Sequence, residues 1–343
     1  MLDDLPVAKH PLPFRLSASP MPRTRLAPSP TGALHLGNAR TFLVNWALAR
    51  QNGWRIVLRM EDLDGPRVKP GAAEEAIDVL RWLGLDWDEG PYYQRRDLAP
   101  YTAALEQLAA QGDVYPCRCT RREIEAAALS APHGDEHELR YSGACRPAEP
   151  TPLAFHDFAG QSVAWRLRVP EGETCFDDRF AERHCHDVQA ATGDFIVATK
   201  EGLPSYQLAV VVDDARQGID RIVRGDDLLS STHRQRLLQA KLGLPSIAEY
   251  YHLPLVVGED GRRLAKRHGD SRISRYRAAG VPPERIIGLL AAWCGLDADG
   301  VRTADDFRQR FVLSRLSPHA VAFNEQGAAA QLNIPTPAAQ DGA

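Results

Sequence analysis

Lysine is scarce in this chain: it occurs only at positions 9, 69, 200, 241 and 266, so 36 of the 41 basic residues are arginine. Each lysine is therefore more informative than usual, because an ammonium is a compact point charge where a guanidinium is a planar fork. Apolar runs of membrane-spanning length are missing, and residues 1–22 hold no continuous apolar stretch of the kind a secretory signal needs. These absences argue against a helical membrane protein and set a cytoplasmic expectation with no membrane partner. The formal net charge of -4 supplies no general attraction for nucleic acid, although one basic face would not show in the total. Neither G-x-G-x-x-G nor a Gly-Lys-Ser/Thr loop is present, which removes the usual dinucleotide and P-loop fingerprints. No Ser-His-Asp or Cys-His arrangement suggests a protein nucleophile. Only six cysteines occur, Cys117, Cys119, Cys145, Cys175, Cys185 and Cys294, and in a reducing compartment clustered thiols favour metal over disulfide.

With 343 residues the chain can hold two or three domains. Residues 1–22 are Pro-rich and aperiodic, a disordered leader by expectation, with Met1 and Met21 both possible starts. Arg23–Ala27 reads as a strand and Leu36–Arg50 as a helix, followed by the unalternating run "WRIVLRM" typical of a strand covered on both faces. Helices are expected over residues 72–83 and Pro100–Gln111. The texture then changes to cysteines, charges and short strands such as "VAWRLRV". Regular α/β signals return with "YQLAVVVDD", "IDRIVRG", a helix at Ser231–Leu242 and the strand "YHLPLVV". The pattern predicts one parallel α/β domain, 23–112 and 204–270, interrupted by a subdomain at 113–203 and followed by a helical region and tail at 271–343.

The stretch "RLAPSPTGALHLGNAR", Arg25 to Arg40, runs a strand through a tight turn into a helix that opens on polar residues. Free backbone N–H groups and the positive end of a helix dipole then face one place, which suits an anion. His35 and Asn38, three apart, project from the same side of the first turn. Gly37 allows a flat base or a phosphate to approach the backbone. Taken alone these residues also fit a plain capped helix with an exposed histidine. "RMEDLDGPR" places Glu61 at the carboxyl end of a buried strand, where open α/β sheets bind ligands. "GEDGRRLAKRHGD" is a hairpin followed by a basic loop that carries Lys266.

Together the three stretches resemble the catalytic domain of class I aminoacyl-tRNA synthetases, and within them the glutamyl group. "PSPTGALHLGN" is similar to the HIGH signature with its preceding residues, and "RLAKR" stands in the place of KMSKS. Asn38 replaces the last histidine of HIGH, and Arg263 and Ala265 replace the first lysine and the serine of KMSKS. The resemblance implies a Rossmann-like parallel sheet and activation of glutamate by ATP with magnesium. It assigns His35, Asn38 and Lys266 to catalysis, and His35, Gly37, Asn38 and Lys266 to ATP. Arg25, Leu26, Ala27, Pro28, Ser29, Glu61, Tyr206 and Arg224 would hold glutamate, an arginine fork being a sensible selector for a carboxylate.

The insert carries its own cluster, "CRCT" with Cys117 and Cys119, and "YSGACR" ending in Cys145. Three thiolates and one further ligand make a closed structural zinc site. In the family resembled, a tyrosine four residues before the last cysteine completes the set; here that is Tyr141, with His133 and His137 as substitutes. The weaker cluster "ERHCHD", Glu182–Asp187, holds a single thiol. About seventy-five residues follow Arg267, fewer than the anticodon-binding region of the long members requires. The resemblance therefore points to the short members, which attach glutamate to the queuosine base at the wobble position of tRNA(Asp), and a monomer is expected. The alternatives are a minimal enzyme charging the 3′ end of tRNA(Glu), a small-molecule nucleotidyltransferase, and an inactive tRNA-binding module.

Overall fold

In the computed structural model, which describes residues 21–124, 140–262, 264 and 269–332, the first half alternates strand and helix. Strand β1 (Arg23–Leu26) leads to helix α1 (Leu36–Gln51), β2 (Arg55–Met60), α2 (Ala72–Trp82), β3 (Glu89–Tyr93) and α3 (Ala99–Ala110). β1, β2 and β3 form a parallel sheet with β2 in the middle. Residues Ile56, Leu58 and Met60 join the cluster that contains Leu43 and Ala47 of α1, whereas Val57 packs with Ile222 and Tyr250. Both faces of β2 are thus covered, which is why its sequence does not alternate. A buried polar link fixes α1 to β1: Thr24 Oγ1 donates to Asn45 Oδ1, and Asn45 Nδ2 donates to the Arg25 carbonyl.

The interrupting region contains β4 (Val114–Cys117), β5 (Ala164–Leu167), the hairpin strands β6 (Thr174–Asp178) and β7 (Glu182–His186), the short helix α4 (Val188–Ala191) and β8 (Ile196–Ala198). β4, β5 and β8 make a small antiparallel sheet around Trp165, Leu167 and Val197. The main fold resumes with α5 (Tyr206–Arg216), β9 (Arg221–Gly225), α6 (Leu229–Leu242), β10 (Glu249–Leu253) and β11 (Val256–Gly258). The β6–β7 hairpin lies within the predicted insert, yet β6 pairs parallel with β10, giving the order β7-β6-β10-β9. Proline at 254 has no N–H to donate, and there the single expected strand "YHLPLVV" breaks into β10 and β11.

β1 and β9 run side by side at the middle of the molecule. The Asp220 amide donates to the Arg23 carbonyl, and the Arg23 amide donates to the Asp220 carboxylate. The strand order reverses direction between them, so their carboxyl ends frame the crevice where ligands bind in such sheets. Downstream lie α7 (Ile273–Ala278), α8 (Pro283–Ala292), α9 (Ala304–Arg310), β12 (Val321–Phe323), which pairs with β11, and α10 (Glu325–Leu332). Their Leu290, Phe307 and Phe323 share one core with α1. No helix among the described residues is long and apolar enough to cross a membrane.

Candidate active site

A cavity of about 450 Å³ opens at the carboxyl ends of β1 and β9. The segment leaving β1 contributes Arg25, Ala27, Pro28 and Ser29, the start of α1 contributes His35, Gly37 and Asn38, and Glu61, Tyr206 and Arg224 close the other side. A larger hollow of about 800 Å³, lined by Arg59, Asp213 and Asp214, contains none of these ten residues. Leu26 is fully buried in the core instead of lining the cavity. Lys266 and the rest of its loop core lie outside the described residues, as do His133 and His137.

Backbone hydrogen bonds pin the loop between β1 and α1 from two directions. The Glu61 amide donates to the Pro28 carbonyl, while Ile273 donates to Leu34 and Leu36 donates to Ser271. The stretch just after the basic loop is thereby stitched to the start of α1. His35 is the N-cap of α1: its Nδ1 accepts the Asn38 amide at 3.3 Å, and the Asn38 side-chain oxygen accepts the His35 amide at 3.4 Å. An Nδ1 that accepts leaves the ring proton of a neutral imidazole on Nε2. A Cβ on Gly37 would come within 3.1 Å of the His35 ring. The glycine therefore makes room for the His35 ring.

Of three buried guanidiniums at the cavity and beside it, those of Arg59 and Arg25 meet two buried carboxylates. Arg59, with no exposure, reaches Asp214 at 2.7 Å and Glu61 at 3.1 Å, and Arg25 lies 3.6 Å from the same Asp214 oxygen. Burial opposes the charge on Arg59, but Asp214 and Glu61 outweigh it and hold the guanidinium firmly protonated. Burial lowers Arg25 below the usual arginine range, only partly offset by Asp214. Glu61 is raised by burial against the opposing pull of Arg59 and Arg25. Arg224, the third guanidinium, keeps one buried nitrogen, Nη1, without a hydrogen-bond partner although the residue lines the cavity. A desolvated donor of this kind is costly unless an acceptor arrives, and a carboxylate or phosphate oxygen is the natural one.

Arg59 and Asp214 escaped the sequence reading. A signal did exist: an arginine inside an otherwise apolar strand, and two aspartates closing the run "VVVDD". Both imply buried partners, but only the ion pair between Arg59 of β2 and Asp214 of α5 shows which.

In the insert, the sulfurs of Cys117, Cys119 and Cys145 lie within 4.8 Å of one another. The Tyr141 hydroxyl is 3.4 Å from Cys117 Sγ and 3.9 Å from Cys119 Sγ, and it accepts the Cys145 amide at 2.8 Å. The Arg166 guanidinium sits 3.7 Å from the Tyr141 ring centre and donates to Cys117 Sγ. Burial would raise the Cys145 thiol, but the Arg118 amide and the Tyr141 hydroxyl bring it down to about 7. Three soft sulfurs and a phenol oxygen converging on one point are a donor set that fits a tetrahedral metal. Cys175 and Cys185 behave otherwise: they form a disulfide, contrary to the sequence expectation for clustered thiols. The antiparallel register of β6 and β7 sets them directly opposite each other with Cα atoms 4.1 Å apart, a proximity that their spacing in the chain conceals.

Comparison with known proteins adds an independent line. Residues 21–327 match the family described as tRNA synthetases class I (E and Q), catalytic domain. The chain is 47% identical to a glutamyl-Q tRNA(Asp) synthetase of Symbiobacterium thermophilum, over 79% of this chain and 86% of that protein. It is 38% identical to a glutamate–tRNA ligase of Geobacter sulfurreducens, over 88% of this chain but 63% of that protein. Among solved structures, a glutamate tRNA ligase from Elizabethkingia meningosepticum in complex with its amino acid has the same fold. That match has a TM-score of 0.74 and 24% identity, and covers 90% of this chain and 68% of the ligase.

Proposed function

The chain belongs to the class I tRNA synthetases for glutamate and glutamine, and from that membership we propose that it activates L-glutamate with ATP and transfers it to the queuosine base of the tRNA(Asp) anticodon. The observation that carries the proposal is the cavity at the β1–β9 crevice, where a helix N-terminus and the guanidiniums of Arg25 and Arg224 serve anions on one side and Glu61 serves a cation on the other. An amino acid with a second carboxylate matches that division of charge.

In the first step a carboxylate oxygen of glutamate attacks the α-phosphorus of ATP, the bond to the β-phosphate oxygen breaks, and pyrophosphate leaves. Catalysis here is positioning and stabilisation of phosphate charge. The Nε2–H of His35 and the amides at the start of α1 are the donors for phosphate oxygens, with Asn38 holding the ring in place and Lys266 as the mobile cation. Arg25, Ser29, Tyr206 and Arg224 receive glutamate, and Glu61 pairs with its ammonium. The backbone around Leu26, Ala27 and Pro28 sets the height of Ser29. Magnesium would accompany ATP as part of the substrate. One structural zinc would be held by Cys117, Cys119, Cys145 and Tyr141, organising the insert without entering the reaction. In the second step a hydroxyl of the queuosine cyclopentene diol attacks the mixed anhydride, releasing AMP and leaving an ester.

The reading as a minimal enzyme for tRNA(Glu) draws on the match to the glutamate–tRNA ligase, which is lower in identity and covers less of that protein. Two assays separate them. Pyrophosphate exchange across a panel of amino acids should be selective for glutamate and need no tRNA. Transfer of labelled glutamate should require queuosine in tRNA(Asp); transfer to tRNA(Glu) would overturn the proposal.

A further inference from the structure

The parallel register of β9 and β10 pairs Arg224 with His252, and the adjoining strand β6 brings Asp178 against the far side of the imidazole. We propose that Asp178 and His252 form a positioning pair that fixes the guanidinium of Arg224 for a substrate carboxylate. This rests on the reading of the cavity as a glutamate site and adds to it two residues that do not line the cavity.

The argument is one of donors and acceptors. Arg224 Nε lies 3.0 Å from His252 Nε2. A guanidinium can only donate, so Nε2 must carry its lone pair and the ring proton must sit on Nδ1. Nδ1 is 2.6 Å from Asp178 Oδ2, the acceptor that this tautomer demands. Asp178 is in turn fixed by the Phe180 and Ala181 amides, each donating to Oδ1 at 2.8 Å. Neither the Asp178 nor the His252 side chain has any solvent exposure, so no water competes. A second anchor holds the guanidinium in plane: Nη2 donates to Thr232 Oγ1 at 2.7 Å, and that hydroxyl donates to the Leu228 carbonyl. Of the three nitrogens only Nη1 is left over, and it is the one with no partner. Burial keeps His252 neutral, lowering it to about 4; Asp178 pulls the other way and Arg224 adds to the lowering.

A flexible four-bond side chain that must meet a carboxylate at a set angle loses affinity if it can rotate, and here two of its three nitrogens are already engaged. The sensitive substitution is Asp178→Asn. It is nearly isosteric and keeps an oxygen for the two amides, but presents an amide donor to Nδ1. The ring proton would then move to Nε2 and face the Arg224 N–H, donor against donor.

The test combines kinetics with the tautomer itself. In pyrophosphate exchange, Asp178→Asn should raise the KM for glutamate about tenfold, the scale of one charge-assisted hydrogen bond, while kcat changes little. In an Arg224→Ala background the same substitution should change KM no further. Nitrogen-15 spectra of the wild-type protein should show His252 neutral and protonated on Nδ1, a measurement that does not depend on any variant folding. An Nε2–H tautomer in the wild type, or an equal KM effect with and without Arg224, would overturn the positioning pair alone. An Arg224→Ala enzyme with unchanged KM would overturn the glutamate-pocket reading, and the proposal with it.

Discussion

His35 and Asn38 hold each other: the imidazole Nδ1 accepts the Asn38 amide, and the Asn38 side chain accepts the His35 amide. The asparagine that replaces a signature histidine thus has a structural function at the N-terminus of α1. A capping box satisfies two of the amides that a helix start leaves unpaired, and here it also sets the tautomer of the ring that faces the cavity.

Asn38→Ala should therefore act twice. Losing the side-chain acceptor of the His35 amide should cost about 1 kcal/mol, a shift of about one to two degrees in Tm for a chain of this size. Freeing the His35 backbone should lower kcat in pyrophosphate exchange more than it raises the KM for glutamate. Gly37→Ala should reproduce the kcat loss, because its Cβ meets the His35 ring at 3.1 Å. A Gly37→Ala enzyme with wild-type kcat would show that His35 placement does not limit the reaction.

Much of this arrangement could be read from sequence, and the reasons differ from element to element. β2 was legible because a strand buried on both faces shows as an unbroken apolar run, and α1 because its start is written in turn and cap residues. The ten residues around the cavity follow mostly from the family resemblance carried by the three motifs, and the fold brings them to one place because they sit at or near the ends of elements that converge there. What stayed hidden was pairing between distant segments. The β6–β7 hairpin joins the β10 edge by register, not by composition, and the same register places Cys175 opposite Cys185. The valines at 210–212 favour strands locally, yet α5 buries all three inside a helix, where packing overrides propensity.

Glu61 should couple glutamate binding to protons. Burial raises its carboxyl above the ordinary value, and a bound ammonium would favour the ionised form. Binding then releases a proton at pH values above the usual carboxylate range, so affinity should rise with pH there. Calorimetry at about pH 5 in buffers of different ionisation enthalpy would detect the release, since ordinary glutamates are by then mostly ionised. Equal heats in all buffers would show that Glu61 does not meet the ammonium.

Purified protein should carry one zinc, and stripping it should loosen the insert before the main sheet, because such a site couples metal to local folding. Hydrogen exchange should quicken in β4, β5 and residues 140–146 while β1 and β2 stay protected. Tyr141→Phe keeps the ring beneath Arg166 but removes the hydroxyl that approaches Cys117 and Cys119. A fall in zinc occupancy would support the phenol as fourth ligand. Full occupancy would move that role to another residue.

Acid sensitivity should trace to His233. Burial, with His184 and His186 adding to it, lowers this imidazole to about 3, and Thr174 and His184 occupy its two nitrogens. The unfolded chain takes up the proton near the ordinary histidine value while the folded chain does not, so stability falls as pH drops from about 6.5 toward 3. His252, lowered to about 4, contributes in the same direction. Glu61 and Asp213, both raised, oppose it, so the useful measurement is the difference between proteins. His233→Asn should have a flatter dependence of Tm on pH between 6.5 and 4, whatever its Tm at neutrality. A slope equal to that of the wild type would remove His233 from the account.

The final prediction concerns the acceptor. If glutamate goes to queuosine, the substrate presented to the cavity is the hairpin that carries that base, and the rest of the tRNA is dispensable for chemistry. RNA of this kind is gripped through shape and phosphate, with the reactive nucleotide splayed from its loop. An isolated queuosine-containing anticodon stem-loop of tRNA(Asp) should therefore accept glutamate, with an apparent affinity that falls steeply as salt rises. Trimming the 3′ terminal adenosine from whole tRNA(Asp) should leave transfer intact, because that end is not the acceptor. Guanosine in place of queuosine should abolish transfer while pyrophosphate exchange continues unchanged, since the proposed activation step needs no tRNA. The product should release glutamate in mild alkali, as an ester on the cyclopentene diol must. Loss of transfer on removing the adenosine, together with indifference to queuosine, would identify the acceptor as the 3′ end and assign the chain to the glutamate–tRNA ligase reaction.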